Sequence, residues 1–262
     1  MENIYKKHCQ KHRHSAFTLA EVLITLGIIG VVAALTLPTL ITSSREKQRV
    51  SQLKKIYSAL QQAFTMAQEK HGEYQYWELT ETSNGERDEN GNLVLDYSGA
   101  EKVLAYLGEN LSTKTNNSTF SFAMYDLTGK LLGTYQRPSN RYLLLNDGTI
   151  LLIGWVNPSN TDVMVYFPGC ERKGCRLGID IFYMKLLPKY GFIPTGIPDN
   201  GNRLDSTGDV DNTKFSNTTC NINKPTASAT NGRGCTAWVI YKENMDYLHC
   251  DDLSWNYKNK CK

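Results

Sequence analysis

Few residue types in this 262-residue chain are equipped for chemistry. Outside the first sixteen residues its histidines are His71 and His249, too little material for a catalytic triad or a histidine-rich metal centre. No enzymatic activity is expected. The cysteines are more informative. Cys9 stands apart near the start, whereas Cys170, Cys175, Cys220, Cys235, Cys250 and Cys261 all fall in the C-terminal third. Their gaps do not make paired C-x-x-C knuckles, so disulfides are expected in place of zinc. The shortest loops would join Cys170 to Cys175, Cys220 to Cys235 and Cys250 to Cys261. Asp205, Asp209 and Asp211, in a loop that also holds Asp199, Asn200, Asn212, Gly201 and Gly208, offer the hard oxygen ligands that calcium takes. Their spacing does not match the helix-loop-helix calcium signature, and Asp, Asn and Gly enrich ordinary turns for backbone reasons. No cofactor is expected, and calcium is the one that this composition would admit.

One carboxylate is placed unusually. Residues 17–41 contain no Lys, Arg or Asp, and Glu21 is their single acid. As a helix this stretch is long enough to cross a bilayer core at ~1.5 Å per residue. A charge there carries an insertion penalty unless it finds a partner or a polar exit. A plain signal anchor would let Glu21 snorkel to the headgroups, and a secretory signal would be cut near the small residues 31–34. Against the second, the apolar run continues through Leu35, Leu37, Leu40 and Ile41 directly into an amphipathic helix.

Charge and cysteine usage agree about sidedness. The formal net charge is +3, and Lys6, Lys7, Lys11 and Arg13 against Glu2 put all of it into the first sixteen residues. The remaining 246 residues hold 25 basic and 25 acidic side chains, so the body presents no field for nucleic acid. Six clustered cysteines suit an oxidising compartment, and Cys9 makes no pairing problem in a segment that stays in the cytoplasm or is removed.

These residues must be positioned by a few elements. Beyond Ser44, Val50, Leu53, Tyr57, Leu60, Phe64 and Ala67 recur at spacings of three and four, an apolar stripe on a helix that stops at His71-Gly72. Pro38 bends or loosens the helix without ending it, which gives one helix of roughly 80 Å. Gly27 and Gly30 suit close helix approach. After a polar stretch at 73–92, residues 97–111 predict a helix with Val103, Leu104 and Leu107 inward. Strands are predicted at 120–125, 130–135, 142–145, 149–155, 163–167 and 179–187, with a tight primed turn at Asp147-Gly148. Residues 236–244 predict a last helix. The fold class is α+β: a long N-terminal helix on an antiparallel sheet, with a disulfide-stapled C-terminal region. The segments are 1–16, a leader; 17–41, a membrane span; 42–72, an amphipathic helix; and 73–262, a head.

At the start of the apolar run stands Ser15-Ala16-Phe17-Thr18-Leu19-Ala20-Glu21-Val22-Leu23. With the basic leader and Pro38, it resembles the processing signature of type IV pilins and the pseudopilins of type II secretion. The resemblance covers about the first fifty-five residues. It implies cleavage between Ala16 and Phe17 and N-methylation of Phe17 by a prepilin peptidase, with Ala16 where the family usually has Gly. It also implies that Glu21 neutralises the Phe17 amine of a neighbouring subunit during assembly, and that Pro38 is the helix-bending proline. The expected partners are that peptidase, other pilin or pseudopilin subunits and, indirectly, an assembly ATPase and platform protein. The expected location is a single pass through the cytoplasmic membrane with the head outside, then a periplasmic or extracellular filament. The other function class is a membrane-anchored or secreted adhesin, including a minor subunit at a filament tip.

Overall fold

A computed structural model describes residues 18–115, 118–157, 159–197, 219–223 and 231–261. The chain divides into two compact units at residues 45 and 46. The first helix, α1, Leu19–His71, begins in the first unit and ends in the second.

In the first unit the helix is apolar on every side. Leu23, Ile24, Leu26, Ile28, Ile29, Val31, Leu35 and Leu40 are all exposed, and the helix is long and apolar enough to cross a membrane. The threonines in this stretch turn their hydroxyls back onto the helix, Thr36 to the Val32 carbonyl at 2.9 Å and Thr42 to that of Pro38 at 2.9 Å. A hydroxyl satisfied in this way does not need water.

In the second unit the same helix becomes one-sided. Val50, Leu53, Ile56, Leu60, Ala63, Phe64 and Ala67 are buried, the three-and-four spacing of an amphipathic helix. Tyr57 is only partly buried, and Ile56 holds the inward position beside it. The helix stops where Gly72 takes a φ of 84° that side chains resist, and the Trp77 indole donates to the Gly72 carbonyl at 2.8 Å.

The rest of this unit is layered. Helix α2, Ser98–Gly108, precedes strands β1, Thr113–Lys114; β2, Phe120–Tyr125; β3, Leu131–Arg137; β4, Tyr142–Leu145; and β5, Ile150–Asn157. Next come β6, Asn160–Tyr166; β7, Cys175–Arg176; β8, Ile181–Leu187; β9, Gly191–Pro194; and helix α3, Thr236–Lys242. Six strands form an antiparallel sheet in the order β1-β4-β5-β6-β8-β9. One of its faces, with Leu151, Ile153, Val163, Val165, Phe182 and Met184, shares a core with the α1 stripe, with Val103, Leu104 and Leu107 of α2 and with Trp238 of α3. Its other face, with Ile150, Leu152, Met164, Tyr166 and Ile181, packs on a three-stranded sheet through Phe122, with Tyr135 at the margin. That smaller sheet has the order β3-β2-β7, antiparallel between β2 and β3 and parallel between β2 and β7.

The second sheet differs from the single sheet that the strand positions predict. Its cause is visible in β5, β6 and β8, whose side chains are buried on both faces and so require cover on both. The connection at Asp147-Gly148 is also longer than the predicted two-residue turn. Leu145 N–H bonds the Thr149 carbonyl at 2.8 Å and Gly148 has a φ of 89°, the three-residue hairpin with a left-handed last position. The polar stretch after α1 hides two core residues, Tyr74 and Trp77. The cysteines pair as Cys170–Cys175, Cys220–Cys235 and Cys250–Cys261.

Strand β9 is an edge of the large sheet, and α1 completes its hydrogen bonding. The Gln61 amide donates to the Phe192 carbonyl at 2.8 Å while its oxygen accepts the Phe192 N–H at 3.1 Å. A side chain thus takes the place of a neighbouring strand. Replacing it leaves two half-buried backbone groups unpaired. Gln61→Ala is expected to lower the unfolding free energy by about 1 kcal/mol or more in reversible urea unfolding of the detergent-solubilised chain. An unchanged midpoint and slope would show that water serves β9 equally well.

Candidate functional site: the N-terminal assembly segment

The first turn of α1 is built by Thr18 and Glu21. The Thr18 N–H and hydroxyl donate to Glu21 Oε2 at 2.8 and 2.9 Å, and the Glu21 N–H donates back to the Thr18 hydroxyl at 3.2 Å. These reciprocal bonds are a capping box, which satisfies backbone donors that a helix start otherwise leaves open. The signal for it is in the sequence as Thr-x-x-Glu, although apolar periodicity alone does not reveal it. The box fixes where Glu21 sits, one turn inside the helix on an exposed surface. Both Thr18 donors converge on Oε2, so Oε1 lies outside the box.

Ala16 and Phe17, the residues of the expected cleavage, lie outside the described residues, as do Cys9, Asp205, Asp209 and Asp211. Pro38 lies inside the continuous helix, where it offers no N–H to the carbonyl one turn back. A side-chain carbon built on Gly27 or Gly30 would meet nothing within 4 Å, so both positions leave the helix surface low and open. No group of three or more His, Cys, Asp or Glu suited to a metal occurs among the described residues.

From residue 46 onward, polar contacts hold α1 in register within its own unit. Glu46 meets His249 at 2.9 Å, beside the Cys250–Cys261 bridge. Lys54 pairs with Glu243 just beyond α3, and Lys55 lies 3.6 Å from Asp147 in the hairpin turn. At the far end, Lys70 and His71 both reach Glu109 after α2, at 2.9 and 2.8 Å, and His71 stacks on Tyr106 with ring centres 3.8 Å apart. The hydrogen bonds from His71 and then Lys70 hold the Glu109 carboxyl below its ordinary range. Exposed pairs of this kind contribute little singly, so their role is alignment. Arg49 is the half-buried case: its guanidinium lies 4.5 Å above the Phe167 ring and 3.5 Å from Asp180. Burial raises the Asp180 pKa and lowers that of Arg49, so desolvation works against the charge on both partners.

Comparison with known families adds two findings. A family of unknown function, DUF6613, matches residues 39–193, more than half of the chain. The chain belongs to that family. The prokaryotic N-terminal methylation motif matches residues 11–37, which places the type IV pilin and pseudopilin signature on Thr18, Glu21 and the apolar half of α1. No curated protein and no solved structure matches the chain. In this DUF6613 member the two matches adjoin inside α1, on either side of Pro38. The signature is that of structural pilin-like precursors, processed by prepilin peptidase and assembled with other pilins. The family match ends before the Cys220–Cys235 and Cys250–Cys261 bridges.

The capping box carries its own test. Thr18→Ala removes the hydroxyl from both of its bonds while keeping Glu21. Protection of the amides at the start of α1 against hydrogen exchange in micelles is expected to fall by about fivefold, the usual effect of losing an N-cap. Unchanged protection would mean that the helix start does not depend on the box.

Proposed function

We propose that the chain is the precursor of a structural subunit of a type IV pilus or a type II secretion pseudopilus. The observation that carries this reading is Glu21 in the first turn of a helix that is otherwise apolar for more than twenty residues, inside the match to the methylation motif. In this reading residues 1–16 stay in the cytoplasm until prepilin peptidase cuts between Ala16 and Phe17 and methylates the new Phe17 amine. Residues 17–41 hold the subunit in the cytoplasmic membrane, and the head folds on the oxidising side, where its three disulfides form. The catalytic steps belong to the peptidase and the assembly machinery, and this chain contributes shape and charge.

Glu21 then acts as an assembly residue. In the precursor, Thr18 occupies Oε2, and Oε1 is the atom left to accept the Phe17 ammonium of a neighbouring subunit. A carboxylate and an ammonium that meet in hydrocarbon relieve each other's insertion penalty, whereas either alone does not. Subunit entry is thereby coupled to correct axial register.

The two roles separate by mutation. Glu21→Val leaves the scissile residues intact and makes the span more apolar, so the variant is expected to insert and be cleaved but to accumulate in the membrane, with a reduced share of sheared filaments. Ala16→Leu puts a bulky side chain at the cut and is expected to accumulate uncleaved. Normal filament incorporation of cleaved Glu21→Val would reduce Glu21 to a topological feature and favour a plain anchor.

A further inference from the structure

Away from α1, three arginines and three tyrosines from separate elements form one cluster. Tyr97 lies at the start of α2, Tyr135 and Arg137 on β3, Arg141 in the turn before β4, Tyr183 on β8 and Arg233 in the turn before α3. Each guanidinium lies over a ring: Arg141 at 3.1 Å from the centre of Tyr97, Arg137 at 3.8 Å from Tyr135 and Arg233 at 4.8 Å from Tyr183. Arg137 and Arg141 are four residues apart in the chain, and Tyr135 and Tyr183 belong to one packed cluster. The Tyr135 hydroxyl feels the charges of both Arg137 and Arg141, and that of Tyr183 feels Arg233 and Arg137. Burial is the main reason both phenols resist ionisation, and among the described residues no carboxylate acts on Tyr135. Asp162 acts on Tyr183 and is engaged by a partner of its own.

Stacking satisfies the faces of a guanidinium and leaves its N–H edges to find acceptors. Arg137 donates from Nη1 to the Gln136 carbonyl at 2.8 Å and from Nη2 to the Tyr135 hydroxyl at 2.5 Å. Its Nε has no acceptor, nor has Nε of Arg233, and Arg141 lacks acceptors at both Nε and Nη2, all four atoms being shielded from solvent. Donors left in this state are destabilising, and gathering three cations with no carboxylate paired to them among the described residues adds repulsion. Nε and Nη2 share one edge of the guanidinium, where they present two parallel N–H bonds to a planar anion. A carboxylate meets both with a separate oxygen, whereas chloride offers one acceptor to share between them.

We propose that Arg137, Arg141 and Arg233 form a carboxylate-binding site, with the Nε and Nη2 edge of Arg141 as its bidentate fork and the three tyrosine rings as the walls that hold the guanidinium planes. All three side chains are partly exposed while the unpartnered atoms themselves are covered, so binding requires the Arg141 guanidinium to turn its edge outward to meet the ligand. A sugar acid and a glutamate side chain both carry the required group.

Calorimetric titration of the full chain in detergent micelles, at constant ionic strength, distinguishes these sources with D-glucuronate and N-acetylglutamate as probes and chloride as the control. Saturable binding of at least one acid, with none for chloride, is the expected result, and the tighter acid identifies the source. Arg141→Lys keeps the charge and loses the fork, so affinity is expected to fall about tenfold or more. Arg233→Lys, which removes a second unpartnered Nε, is expected to weaken binding as well. The absence of saturable heat with both acids on the wild-type chain would overturn the site, as would wild-type affinity in a folded Arg141→Lys. The wild-type titration decides the matter even if a variant fails to fold.

Discussion

One helix has to satisfy two solvents. Up to about residue 45, α1 exposes Leu, Ile and Val on every side, and beyond it the same helix buries one stripe from Val50 to Ala67 and keeps its other faces polar. A helix that is apolar all round in water would aggregate, and one that is one-sided in hydrocarbon would strand its polar face. The composition therefore changes along the helix without a break in the backbone. Much of the second unit follows from that stripe. Leu53 and Leu60 are fully buried in the core shared with β5, β6 and β8, while Gln61, one residue further, closes the edge of β9.

The large sheet transmits the same constraint outward. With α1, α2 and α3 on one face, its other face must also be covered, because Ile150, Leu152, Met164 and Tyr166 are as apolar as their neighbours. The small sheet of β2, β3 and β7 supplies that cover, and the Cys170–Cys175 bridge ties the chain just before and within β7. The C-terminal region contributes to the main core through Trp238, Val239 and Tyr247, yet it lies beyond the family match. Core packing in this part of the molecule is thus supplied by a segment outside the shared family pattern.

Local signals in the sequence carried much of this. The α1 stripe, the Gly72 stop, the strands at 120–125 and 142–145 and the inward face of α2 each rest on spacing that a single element can express. Division into two sheets was not legible, because a buried strand reads the same whichever layer covers it. Strand β9 carries no local signal for another reason: four residues bounded by Gly191 and Pro194 make too short a pattern, and its outer edge is completed by a helix side chain over a hundred positions away. At the candidate site, Glu21 and Pro38 stood out by chemical contrast with an apolar run, while Thr18 as the partner of Glu21 required reading cap chemistry in place of periodicity. The arginine and tyrosine cluster draws on distant segments of the chain, so no local window contains it.

The central claim is that α1 in its working form begins at Phe17, which puts a new amine four residues before Glu21. Intact-mass and N-terminal peptide mass spectrometry of the chain recovered from its native membrane tests this most directly. The expected mature species lacks residues 1–16, starts at Phe17 and carries a single added methyl on its amine. A mature start after Ala34, or an uncut chain in a membrane with active prepilin peptidase, would contradict the account.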